Sequence, residues 1–188
     1  MIRDKAGIKG FVRATVFGPD GKVKIFKPNL LQKFLNYTGL SKYGWVPDRP
    51  MIIENRNIVT NHGDALIADA LSDTQARTKV NNANGVIGVG TGYVSATKAV
   101  TALVTQTGSN KAMTATYPKL KGTFNAADDN VVQYRVNFLA GDLNDTGIDE
   151  VALGNGTDLM AYAQFSPAFP VASSDTLQVD WELTPLGA

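Results

Sequence analysis

The chain has no cysteine and a single histidine. Without thiolates there is no disulfide framework and no cysteine-ligated metal centre, so folding does not depend on an oxidising compartment and the composition fits assembly in a cytoplasm. With His62 alone, a two-histidine metal site is excluded and any Ser-His-Asp triad would rest on that one imidazole. No stretch approaches the roughly 18 apolar residues of a membrane span. The opening residues, Met1 to Gly7, lack the apolar core of a secretory signal. A soluble protein with no membrane partner is expected. No block of five like charges occurs, which argues against nucleic acid as a partner.

What is present is enough chain for one substantial domain, 188 residues, with a net charge of +1. That charge is unevenly placed. Residues 1–60 carry 11 Lys and Arg against 4 Asp and Glu, whereas residues 61–188 carry 7 against 13. A basic front and an acidic back can orient a subunit against an acidic protein surface, since long-range fields steer docking.

Period-two alternation dominates. Val132, Tyr134, Val136 and Phe138 alternate with Gln133, Arg135 and Asn137; Leu177, Val179, Trp181 and Leu183 alternate with Gln178, Asp180 and Glu182. Both runs read as half-buried strands, with Trp181 in the core. Further strands are expected at about 51–59, 85–89, 112–124 in one or two pieces, 148–153 and 158–165, with turns at Asp128-Asp129-Asn130 and Gly154-Asn155-Gly156. Phe11 to Phe17, the turn Gly18-Pro19-Asp20-Gly21 and Lys22 to Lys27 read as a hairpin, its lysines Lys22, Lys24 and Lys27 outward or on an edge. One helix of roughly ten residues follows an N-cap at Thr60 or Asn61, with Leu66, Ile67, Ala70 and Leu71 as its apolar stripe and Asp64 near its positive end. Eight or nine strands predict a mostly β protein: an antiparallel β-sandwich, jelly-roll-like, with one or two short helices.

The organisation expected is an N-terminal hairpin with an irregular insertion over 1–56 and a β-sandwich over 57–188, forming one continuous structural domain. Within the insertion, Leu30, Leu31, Phe34 and Leu35 have helical spacing. Beyond them a loop punctuated by Gly39, Gly44, Pro47 and Pro50 carries Tyr37, Tyr43 and Trp45. Trp and Tyr are enriched among interface hot spots, so these three, with Arg49 and the lysines at 22, 24 and 27, are the candidate partner-binding residues. The alternative is that Trp45 folds back over the core.

No constellation of catalytic residues emerges. Gly88-Val89-Gly90-Thr91-Gly92 lacks the helix that a dinucleotide fingerprint opens, because Tyr93 to Thr97 is β-branched and polar, and no Gly-Lys-Ser/Thr follows. Residues 142–150 resemble a calcium loop until its twelfth position, which is Leu153 rather than glutamate. The residue pattern of His62, in an Asn-His-Gly turn at a helix start, is structural. A carboxylate pair of glycosidase type meets only in three dimensions, and scattered acids make accidental pairs common. Tyr117, Tyr162 and Trp45 are the candidate aromatic platforms of a lectin-like surface. No catalytic, cofactor or metal site is expected.

The order of these motifs carries one further reading. Asn57-Ile58-Val59-Thr60-Asn61-His62-Gly63 with Leu66-Ile67-Ala68, then Ile87 to Gly92, Ala96-Thr97, Thr101-Ala102-Leu103, Phe165-Ser166-Pro167 and Ser174 to Trp181 resemble a broad group of tailed-bacteriophage virion proteins, of the head decoration and tail-fibre kind. The resemblance extends over most of the chain; the aromatic and basic insertion at 28–56 departs from it. It implies a non-enzymatic virion structural protein, oligomeric, without cofactor, that docks on the major capsid protein or other virion proteins as a decoration or cement subunit. A tail, neck, baseplate or fibre-attachment component is the alternative within that class. A carbohydrate-binding module for host-surface glycans is the alternative outside it.

Overall fold

The computed structural model describes residues 7–26, 48–123 and 128–186. Along the chain these form β1 (Gly7–Phe17), β2 (Ile25–Phe26), β3 (Arg49–Pro50), β4 (Ile52–Val59), α1 (Asn61–Ala70), β5 (Val86–Thr91) and β6 (Thr105–Ala112), then β7 (Lys119–Leu120), β8 (Val132–Phe138), β9 (Asp145–Gly154), β10 (Leu159–Val171) and β11 (Thr176–Leu186). Nine strands hydrogen-bond in the order β6-β5-β9-β10-β4-β1-β11-β8-β7, and β2 and β3 make a separate ribbon. Every pairing is antiparallel. The fold is therefore mostly β, as the alternation predicts. Its hydrogen bonding runs unbroken through one curled sheet, a half-barrel, where the sequence reading expects two packed sheets.

Curling lets one sheet bury its own concave face. Val12, Ala14 and Val16 from β1, Val136 and Phe138 from β8, Ile148, Val151 and Leu153 from β9, and Leu177, Val179 and Trp181 from β11 join one core, all nearly or wholly inaccessible. Residues 113–118 span the opening between the two flanks. The Thr114 amide donates to the Arg135 carbonyl of β8 at 2.8 Å, and Met113 and Tyr117 enter the core. On the outer face of β8 and β11 the polar alternates pair across strands: Arg135 with Asp180, Gln133 Nε2 with Glu182 Oε1 at 2.8 Å, and Lys121 Nζ with Glu182 Oε2 at 3.1 Å. That flank faces water with its cross-strand charges matched.

The expected hairpin is shorter than the sequence suggests. Its turn forms, with Gly21 at φ +72° and the Gly18 amide donating to the Lys22 carbonyl at 2.9 Å. Pairing to β1 then stops after the Phe17–Val23 bridge and the bond from the Lys24 amide to the Val16 carbonyl, and the chain turns away into the β2–β3 ribbon. Both edges of β1 are already paired, one with β4 and the other with β11, which leaves no edge for a long partner strand from 22–27. β1 lies instead between β4 and the last strand, β11.

Helix α1 begins as expected, with Thr60 as N-cap: its Oγ1 accepts the Gly63 amide at 3.0 Å and donates to the Leu159 carbonyl. Leu66 and Ile67 pack on the core at that end, chiefly against β10. Leu71 is 84 % exposed, because it is the C-cap rather than part of the stripe. The strand expected at 112–124 divides into β6, earlier in the chain, and the two-residue β7. β6 reads Thr-Gln-Thr-Gly-Ser-Asn-Lys-Ala; as an exposed edge strand it needs no apolar alternation.

Candidate functional site

Strand directions place α1, the 72–84 loop and the 155–158 turn at one end of the half-barrel, and the β2–β3 ribbon with the 139–144 and 172–175 turns at the other. The ribbon end holds those candidate partner-binding residues that fall within the described chain. In the ribbon Ile25 opposes Pro50 and Phe26 opposes Arg49. Tyr37, Tyr43, Trp45 and Lys27, with the helical pattern at Leu30 to Leu35, lie outside the described residues.

The described candidates play unlike parts. Lys24 Nζ lies 2.5 Å from Asp175 Oδ2, and that carboxylate, almost inaccessible, also accepts the Ala172 amide at 2.9 Å. Lys24 thus fastens the ribbon root to the 172–175 turn. Lys22 is exposed at the tip of the turn, its backbone amide held by Asp20 Oδ1. Arg49 lies over the Phe26 ring, 5.8 Å from its centre. Ile25 is 44 % and Ile52 43 % exposed, and Pro50 is also exposed. The crevice beside them, bounded by Phe26, Met51, Pro167 and Phe169, measures only about 20 Å³. That is room for a water molecule, not an organic ligand. By register, Ile25 and Pro50 lie on one face of the ribbon, and Arg49 and Phe26 on the other.

Two of the three sequence-based candidates for glycan platforms, Tyr117 and Tyr162, do not face solvent, and the third, Trp45, lies outside the described residues. Tyr162 is 1 % exposed, and Tyr117 is buried with the Lys119 ammonium and the Arg135 guanidinium near its ring. The 142–150 segment is no cation loop either: β9 starts at Asp145, Asp142 pairs with Lys111 at 2.6 Å, and Asp145 Oδ1 accepts the Gly147 amide. Among the described residues no group of three or more His, Asp or Glu is placed to hold a metal.

Two arrangements escaped the sequence reading. In the first, Glu150 is fully buried on the outer side of β9. Its Oε2 accepts the Val104 amide at 3.0 Å and the Tyr162 hydroxyl at 2.6 Å, and its Oε1 accepts the Thr105 amide at 2.8 Å. Asp149 Oδ1 accepts the Tyr93 amide at 3.1 Å, and the Tyr93 ring stacks on Tyr162 with centres 5.7 Å apart. Two adjacent carboxylates thereby fasten both ends of residues 93–104 as a strap over a second, smaller apolar cluster of Ala152, Leu159 and Tyr162. Burial, reinforced by Glu150, raises the Tyr162 phenol well above its ordinary range, so the hydroxyl stays a donor. The signal in the sequence was a glutamate, Glu150, immediately before the apolar run Val151-Ala152-Leu153.

In the second, His62 Nδ1 lies 2.7 Å from Asp158 Oδ1, and Arg77 reaches the same carboxylate at 3.3 Å. The group links α1 to the β9–β10 turn. The His62 hydrogen bond, working against burial and aided by the Arg77 charge and Asn155, holds the Asp158 carboxyl below its usual range. A depressed carboxylate stabilises the fold above its unfolded value of 3.8 and loses that contribution as pH falls through the lower folded value. Asp158→Asn is therefore expected to be less stable than wild type at pH 6, with the gap narrowing progressively as pH falls below about 4. Urea midpoints of both proteins across that range check it; a constant gap would mean that packing, not charge, is lost.

Comparisons with protein-family models, with curated proteins and with solved structures return no match.

Proposed function

We propose that this chain is a non-enzymatic structural protein of a tailed-bacteriophage virion, a decoration or cement subunit that docks on the head lattice through its ribbon end. The observation that carries this reading is the exposure of Ile25, Pro50 and Ile52 at the ribbon, next in the chain to the residues that include Tyr37, Tyr43 and Trp45, with Arg49 on the other face of the ribbon. The resemblance of the ordered motifs to virion proteins points the same way. The basic first third of the chain favours an acidic capsid surface, and no nucleic acid or membrane partner is invoked.

The architecture suits a mechanical role. We read the two flanks of the half-barrel as the facing layers of a jelly-roll-like sandwich that remain joined as one sheet, a reading supported by their shared core. Such a body resists shear while one end makes contacts. Burying on the order of 1,000 Å² or more across neighbouring capsomers, as an oligomer, would link them against internal genome pressure.

The deciding experiment is the copy number per particle, from quantitative mass spectrometry of purified virions against the major capsid protein. A copy number in the hundreds, near that of the shell protein, is expected. A few to a few tens would move the protein to the tail, neck or baseplate, and absence from particles would sink the virion reading. With Ile25→Asp and Ile52→Asp combined, shell occupancy should fall at least tenfold while the circular dichroism of the free subunit is unchanged.

A further inference from the structure

At the opposite end of the half-barrel, a cavity of about 240 Å³ lies between α1 and residues 77–81. Its walls are Leu66, Ile67, Ala70, Val80 and Met160, and Tyr134 completes the lining. An apolar cavity of roughly 150 Å³ suffices for one benzene ring, so this one holds a ring with substituents.

Two polar features define what that ring should carry. Tyr134 is 94 % buried by its 6 % exposure, and its hydroxyl has no hydrogen-bond partner among the described residues. That hydroxyl lines the cavity and makes no hydrogen bond to the described protein, so an acceptor on a ligand could take it. Burial pushes its pKa up to about 12, so it remains an O–H donor at any physiological pH. At the rim, Arg77 is turned to Asp158, and Asp69 is occupied by the Ala76 and Arg77 amides at 2.9 and 3.1 Å. Lys79, exposed and also lining the cavity, has no ion pair among the described residues. The rim thus offers one positive charge without an ion pair and the cavity wall one hydroxyl free to donate.

We propose that this cavity binds a small phenolic or oxo-substituted aromatic acid, its carboxylate at Lys79, its ring among the apolar walls and its second oxygen on the Tyr134 hydroxyl. The site is remote from the ribbon patch and does not depend on where the protein resides.

The test uses the full chain and three probes: 4-hydroxybenzoate, benzoate without the distal oxygen, and 4-hydroxybenzyl alcohol without the charge. Binding is read by calorimetry and by NMR of protein labelled with ¹³C at the tyrosine Cζ. 4-Hydroxybenzoate is expected to bind tightest and to shift the Tyr134 resonance. Tyr134→Phe should weaken 4-hydroxybenzoate about tenfold while leaving benzoate unchanged, and Lys79→Met should weaken both acids about threefold but not the alcohol. No binding of 4-hydroxybenzoate at 10 mM, roughly the weakest affinity worth the name of a site, would overturn the proposal. So would equal affinity for all three probes, or binding that leaves the wild-type Tyr134 resonance unmoved; that last readout needs no variant to fold.

Discussion

Replacing Glu150 by alanine is expected to lower the unfolding free energy by about 3 kcal/mol, a loss of roughly 6–12 °C in Tm for a chain of this size. Glu150 is wholly inaccessible, yet its two oxygens collect three donors from two different segments. Alanine would leave the Tyr162 hydroxyl unpartnered in a site that water cannot reach from the sheet side, at about 1–3 kcal/mol. Val104 and Thr105 are exposed residues, so water can replace their lost acceptor at smaller cost. A side-chain-sized void adds the remainder.

The pattern of damage is as diagnostic as its size. Glu150→Gln keeps the volume and one acceptor oxygen, but sets an amide donor against one of the backbone donors, and should cost about half as much. Hydrogen exchange should show the amides of residues 93–105 opening in both variants while β8 and β11 stay protected, because the strap lies on the face of the sheet away from the core. A Glu150→Ala protein within 0.5 kcal/mol of wild type, with strap amides unchanged, would show that the carboxylate is not what holds residues 93–104 down.

Glu150 also marks where sequence reasoning stops. The alternation at 132–138 and 177–183 predicts β8 and β11 nearly to the residue, because each has one face on the core and one on water. The N-cap at Thr60 and the ten-residue helix are equally legible, since capping is local chemistry. β6 was not, because an edge strand exposed on both faces carries no periodic signal. The chain order of strands does not reveal that β1 lies beside β11, nor that nine strands curl into one sheet, for binary patterning fixes which face is buried and not how the sheet bends. Glu150 meets the Val104 and Thr105 amides across 45 residues or more, and Tyr134 meets the α1 cavity only because β8 curls under the helix. The ribbon patch was half legible: Lys22, Lys24 and Arg49 stand out as basic residues near a loop, but only the structure separates Lys24, tied to Asp175, from the cation–π pair of Arg49 and Phe26.

Gly63→Ala should likewise destabilise the protein, by about 2–3 kcal/mol, although helix propensity argues for the opposite sign. In an isolated helix, alanine in place of glycine gains about 1 kcal/mol. Here residue 63 is in the first turn of α1, its amide held by the Thr60 cap, and a Cβ would sit 2.1 Å from the Met160 carbonyl oxygen and 2.8 Å from Val59 Cγ1. The carbonyl belongs to β10 and already accepts the Thr60 amide at 3.1 Å, so it cannot give way without loosening the β4–β10 junction. The helix must lift instead, drawing Leu66 from the core and stretching the His62–Asp158 contact. Overpacking against backbone costs about 1–3 kcal/mol beyond what propensity returns. The comparison that isolates the effect is Gly63→Ala against Ala65→Gly, which probes propensity on the same helix without the β10 contact. If Gly63→Ala proved as stable as wild type, α1 would have to ride on β10 loosely enough to move outward, and the end of the half-barrel that holds Tyr134 and its cavity would be softer than its packing implies.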